Sequence, residues 1–225
     1  PYGSASLLPR AEIATREAMY LEHLALECGI TVSDTVRPLL IAVLGYSGPW
    51  DDTAPDELLQ NGLPFALAEQ TLVEWTKLQA RCADLLADRV GSLDLSAVAS
   101  PLMVMPELAA NGFWSTESDG SVLLDSYVQL LEQISRLAVS AVEELAPLAN
   151  EFFVAFADYA NSYDLMAVMR VPLDEPFVVK CSERRTLRLD PKRNSGFQEL
   201  VIADARTNHV TVKVENPNAR LAKAA

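Results

Sequence analysis

Histidine is nearly missing from this chain: its 225 residues include only His23 and His209. Chemistry that moves protons through imidazole at neutral pH therefore has almost no candidates. Cysteine is as sparse. Cys28, Cys82 and Cys181 lie far apart, an odd set with no disulfide framework and no zinc-ligand spacing. They read as small buried hydrophobes, in keeping with a reducing compartment. No glycine-rich phosphate loop of the P-loop or dinucleotide kind appears, and no serine sits in the glycine-flanked elbow of a hydrolase. Long uncharged runs are lacking as well. The longest, 38–50, is about 13 residues, short of the ~20 that a membrane span needs. The first dozen residues have no basic flank followed by an apolar core, so they do not read as a secretory signal.

What the chain does have is apolar side chains, 50% of all residues, enough for a sizeable core. The strongest pattern lies in 121–169. Leu123, Tyr127, Leu130, Ile134, Leu137, Ala141, Leu145, Leu148, Phe152 and Phe156 recur in steps of three and four. Such steps keep one face of a helix apolar. Pro147 interrupts the stretch, because an interior proline costs about 3 kcal/mol or more. The expectation is a break or strong kink there, with Pro147 in the first turn of a second helix.

Helices are also expected at 6–28, stopped by Gly29, at 33–44, whose apolar run 39–44 would also suit a buried strand, and at 64–90, with a short one ending at Asn61-Gly62. On the first of these Ile13, Tyr20, Leu21, Leu24 and Cys28 are expected to face inward. The segment 115–120, STESDG, reads as a polar turn. Beyond the two prolines of 171–176 the period changes from helical to alternating. Residues 177–181, 186–189, 197–203 and 209–215 read as strands, with turn chemistry at 190–196 and 204–208. The fold class expected is α+β: an acidic helical body over 1–170 and a small antiparallel β section, basic in charge, over 177–225.

Charge divides the same way. Residues 1–179 hold 8 Lys+Arg and 26 Asp+Glu, a net of −18, while 180–225 hold 10 and 5, a net of +5. A basic section on an acidic chain needs a negative surface to meet. That surface is either the acidic body of a copy of the chain or a nucleic acid. Arg184, Arg185, Arg188, Lys192 and Arg193 lie along one expected hairpin and its turn, where they would track phosphates. Nearby aromatics are few, Phe177 and Phe197, and the acidic body would repel a polyanion. Self-association is therefore the favoured reading and nucleic acid the less favoured one.

Two acidic groupings bear on metal or acid–base chemistry. Asp51, Asp52, Asp56 and Glu57 fall within seven residues. Their spacing is similar to the aspartate-rich motif of terpene synthases. It departs from that motif in the late third acid and in Pro55. The better reading is a helix start, with acids complementing the positive end of the dipole. Glu151 and Asp158 share one helix face, a pairing that would serve as a general acid only if buried; the favoured reading is a solvated face.

The functional expectation is a non-enzymatic structural or assembly protein, such as a capsid or phage component, without cofactor or membrane span. It would act in the cytoplasm or within an assembled particle. Its partner-binding residues would be Arg184, Arg185, Arg188, Lys192 and Arg193, together with Val210 and Val212 on a strand that another chain extends. The alternatives are a nucleic-acid-associated protein, and a small-ligand binder or enzyme with a pocket between helices.

Overall fold

The computed structural model describes residues 6–46, 55–87, 89, 93–141, 144–161 and 167–168. All of them belong to the first of the chain's two units, Pro1–Val171. The elements in order are β1 (Ser6–Leu7), α1 (Arg10–Glu27), α2 (Arg37–Gly45), α3 (Pro55–Gly62), α4 (Glu69–Ala87), α5 (Ser96–Ala99), a 3-10 turn (Pro101–Val104), α6 (Met105–Ala110), α7 (Glu117–Ala138), α8 (Leu145–Asn161) and β2 (Ala167–Val168).

The α+β expectation is corrected: the described part of the protein is helical. Its extended pairing amounts to two residues on each side, Ser6–Leu7 antiparallel to Ala167–Val168. That is too short to form a layer or to bury a face. The strands expected beyond residue 176 lie outside the described residues.

The apolar stretch of the sequence analysis becomes α7 and α8. The chain leaves helix after Ala138 and resumes at Leu145, so that Pro147 falls in the first turn of α8. A proline there removes no intrahelical hydrogen bond. Leu123, Tyr127, Leu130 and Ile134 are buried on α7, and Phe152 and Phe156 on α8. Ala141, which falls in the break, is exposed.

The expected turn at 115–120 is instead the start of α7. Thr116 has extended backbone angles, and its hydroxyl accepts from the Asp119 N–H at 3.2 Å. This is an N-cap, with Glu117 and Asp119 placed against the positive helix end. Other helix starts also move. α1 begins at Arg10 rather than residue 6, α2 at Arg37 rather than 33, and α4 at Glu69 rather than 64.

α1 stops as expected at Gly29, whose φ is 74°. The Ile30 N–H reaches Ala25 O at 2.8 Å and the Gly29 N–H reaches Leu26 O at 2.8 Å. That pair of bonds closes the helix in a Schellman motif, which needs the left-handed conformation that glycine adopts without strain.

Hydrogen bonds fix how the helices run. α1 and α2 are antiparallel: Arg10 bonds to Leu44 O near one end, and Arg37 pairs with Glu22 near the other. α4 and α7 are parallel, since Thr71 meets Glu117, Trp75 meets Ser121 and Arg89 meets Ser135, each partner 46 residues on. A parallel pair needs a crossover, and the segment carrying α5, the 3-10 turn and α6 supplies it. α8 returns antiparallel to α7, with Asn150 at Ala138 and Phe156 against Tyr127.

α8 is the central element, packing on α1, α2, α5 and α7. Phe152, Phe153 and Phe156 are all buried, in edge-on contact at 5.6 Å and 5.9 Å. Truncating one such ring to alanine typically costs about 3–5 kcal/mol. One ion pair also belongs to the core. Glu17 is 2% exposed, and Arg10 reaches its carboxylate at 3.3 Å while also donating to Leu44 O and to Tyr159 O at 3.2 Å. Arg10 thereby ties α1, α2 and α8 together at one end of the bundle.

Candidate functional site

One cleft among the described residues has a volume of about 540 Å³. It lies where α4 and α7 end and α8 begins. Asp84, Leu85, Arg89, Ser135, Ala138, Val139 and Asn150 line it. Arg89 is half-buried and follows the last turn of α4. Its Nε donates to Ser135 Oγ at 3.0 Å, another nitrogen donates to Ser135 O, and the guanidinium carbon lies 5.7 Å from the Phe153 ring centroid.

Those contacts explain why the polar groups are there. The last four carbonyls of a helix have no intrahelical partner. In α7, Ser135 O takes Arg89, Ala138 O takes the Asn150 amide at 3.3 Å, and Leu137 O takes the Ser140 hydroxyl at 2.8 Å. A guanidinium also suits the negative end of the α7 dipole, and its position over Phe153 adds a cation–π contact. The cleft is thus walled by the capping groups of α7. Little in the local sequence pattern sets Arg89 apart from an ordinary solvent-facing residue. The only hint of its role was a cation just before Gly91 at the end of an apolar helical period.

The acidic groupings resolve toward the structural readings. Asp56 and Glu57 occupy the first turn of α3, and Asp56 accepts from the Thr76 hydroxyl at 2.9 Å; Asp51 and Asp52 lie outside the described residues. Glu151 and Asp158 are both exposed. Glu117 has a positioning role that the sequence did not announce. It accepts from Thr71 Oγ1 at 2.7 Å and from the Ala68 N–H at 3.3 Å, placing a carboxylate at the N-terminus of α4. No group of three or more His, Cys, Asp and Glu among the described residues is placed to hold a metal ion.

His23 is exposed on α1. Cys28 and Cys82 are buried as expected. Burial pushes the Cys82 thiol up to about 12, opposed by the nearby Arg81. Tyr127 donates to Val98 O at 2.8 Å, and burial, with Cys82 beside it, raises its phenol well above the ordinary value. Val98 O also accepts the Cys82 thiol at 3.7 Å.

The expected partner-binding residues Arg184, Arg185, Arg188, Lys192, Arg193, Val210 and Val212, like Cys181 and His209, lie outside the described residues. What the structure describes is the acidic surface they were expected to meet. The described residues include 19 Asp+Glu and 7 Lys+Arg. Six of the cations are in ion pairs within the body: Arg10, Arg16, Arg37, Lys77, Arg81 and Arg136. The seventh, Arg89, caps α7. Arg81 bridges α4 to Asp125 and Glu132 of α7 at 3.0 Å each. Glu27, Asp56, Glu57, Glu69, Asp84, Asp94, Glu107, Asp119, Glu144 and Glu151 remain as exposed carboxylates with no ion pair among the described residues.

No helix among the described residues is long and apolar enough to cross a membrane. Comparison with protein-family models, with curated proteins and with solved structures finds no match to this chain.

Proposed function

We propose that this chain is a non-enzymatic assembly protein that associates with copies of itself, its basic section 180–225 meeting the acidic helical surface of a neighbour. One observation carries the reading. The cations of the described body are engaged inside it, so its surplus carboxylates face solvent, while 180–225 carry a net +5. Opposite surfaces of that kind steer association and fix its register. A contact between two different patches propagates from copy to copy and builds rings or particles.

The test uses the full chain with Arg184, Arg185, Arg188, Lys192 and Arg193 all changed to Gln. Light scattering should show a lower particle mass than the unaltered chain, and rising salt should lower the mass of the unaltered chain in the same way. An unchanged mass in the variant overturns the proposal.

A further inference from the structure

The outer face of α1 has a composition that solvent alone does not explain. Met19 is 62% exposed and Leu26 is 60% exposed, with Tyr20 at 39% beside them. Met19 and Leu26 are seven residues apart, so they stand in one row on the helix, with the exposed His23 between. Tyr20 was expected to face inward. Instead it lies at the edge of this row, its ring 6.3 Å from that of Tyr159 on α8. A row of apolar residues at spacing i, i+7 on an outer helix face is the seam geometry of helix pairing.

We propose that this face is a self-pairing surface, on which α1 of a second copy packs antiparallel about a twofold axis near His23. Charge selects the occupant and the direction. Arg16 and Glu27 both lie on the same flank of the Met19–Leu26 row, by the 100° step of the helix. A twofold axis across the seam brings like flanks together. With Met19 set against Leu26 of the second copy, Arg16 falls within about two residues, or about 3 Å along the axis, of the second copy's Glu27. The pair then occurs twice by symmetry. Glu27 is one of the carboxylates with no ion pair among the described residues, while Arg16 is 52% exposed in its pair with Glu12 and can turn toward a second acid. A surface complementary to itself in this way is what an isologous contact requires.

This inference goes beyond the tail-to-body contact proposed above and does not depend on it. The test therefore starts from the full chain with the five basic residues Arg184, Arg185, Arg188, Lys192 and Arg193 changed to Gln, so that tail docking is removed. Sedimentation velocity at low salt and rising concentration should show a dimer forming. Changing Met19→Glu with Leu26→Glu should raise the dimer dissociation constant at least about tenfold, as for residues at the centre of a seam. Arg16→Glu alone, or Glu27→Arg alone, should raise it about threefold to tenfold, since each alters two symmetric exposed pairs. The combined Arg16→Glu/Glu27→Arg swap should return it to within about twofold of the parent. All four positions are exposed, and unchanged circular dichroism would show the fold intact. A monomer at every concentration, no effect of the apolar pair, or no recovery in the double swap overturns the proposal.

Discussion

Gly120 offers the sharpest check on how the bundle is packed. It lies in the first turns of α7, where the helix passes two indoles. A Cβ built there would stand 2.6 Å from Trp114 Cε3, 2.6 Å from Trp75 Cζ2 and 2.7 Å from Trp114 Cζ3. Both rings are held. Trp75 donates to Ser121 Oγ at 2.5 Å, Trp114 donates to Met105 O at 3.0 Å, and their centroids are 4.9 Å apart. Phe65 closes the other side of Trp114 at 5.3 Å. Neither indole can retreat without losing a hydrogen bond or displacing another ring.

In an unconstrained helix Gly→Ala stabilises by up to about 1 kcal/mol. Here overpacking costs about 1–3 kcal/mol, and the sub-van-der-Waals distances put it at the upper end. Gly120→Ala should therefore destabilise by about 1–2 kcal/mol net, lowering Tm by about 2–8 °C for a chain of this size. Urea denaturation followed by tryptophan fluorescence measures the first, and near-ultraviolet circular dichroism reports the displaced indoles. Gly45→Ala is the control, because its Cβ would meet only Ala14 Cβ at an ordinary 3.6 Å. A Gly120→Ala protein as stable as the parent, with unchanged indole signals, would refute the packing argument.

Two further outcomes follow from the buried polar pair at Val98. Tyr127→Phe removes the donor to Val98 O at 2.8 Å and leaves only the weak thiol, so stability should fall by about 1 kcal/mol in equilibrium denaturation. The Cys82 thiol, held up to about 12 against an ordinary 9.0, favours folding while the unfolded thiol is protonated. That contribution is present in full below pH 9 and is lost as pH rises from there toward 12. Tm measured between pH 8 and 11 should therefore fall less steeply for Cys82→Ala than for the parent, and identical slopes would count against it.

The sequence disclosed those parts of the fold that depend on local period and backbone chemistry. Leu123, Tyr127, Leu130 and Ile134 repeat at helical spacing and are all buried. Pro147 marked the start of α8, and Gly29 marked the end of α1. The misjudged start of α7 was legible in principle. Thr116 followed by Asp119 resembles a capping box ahead of an apolar run, yet its polar composition suggests a turn. The Trp75–Trp114 contact and the role of Gly120 carry no such signal, because partners about 40 residues apart leave no mark on a local period. Arg89 and Glu117 were hidden for the same reason: each satisfies the end of a helix other than its own. Met19 and Leu26 fall outside the expected inward set, on the opposite side of the helix by its 100° step, so their exposure was legible in the period, whereas Tyr20, at the border of that set, was misread.

The two proposed contacts differ in symmetry, and that difference makes them separable in one preparation. Antiparallel pairing of α1 closes on itself, so it yields a dimer and stops. A basic section meeting a neighbour's acidic body joins unlike surfaces, so it continues until geometry closes a ring or particle. Their chemistry differs as well. The α1 seam buries apolar side chains and persists in salt, whereas contacts between exposed charges weaken once the Debye length falls toward 3 Å near 1 M salt. With both contacts present, salt should dissolve the larger species to dimers. With only the tail contact it should give monomers. The α1 seam alone should give dimers whose dissociation constant rises with salt by no more than about the tenfold expected from losing its exposed charge pairs.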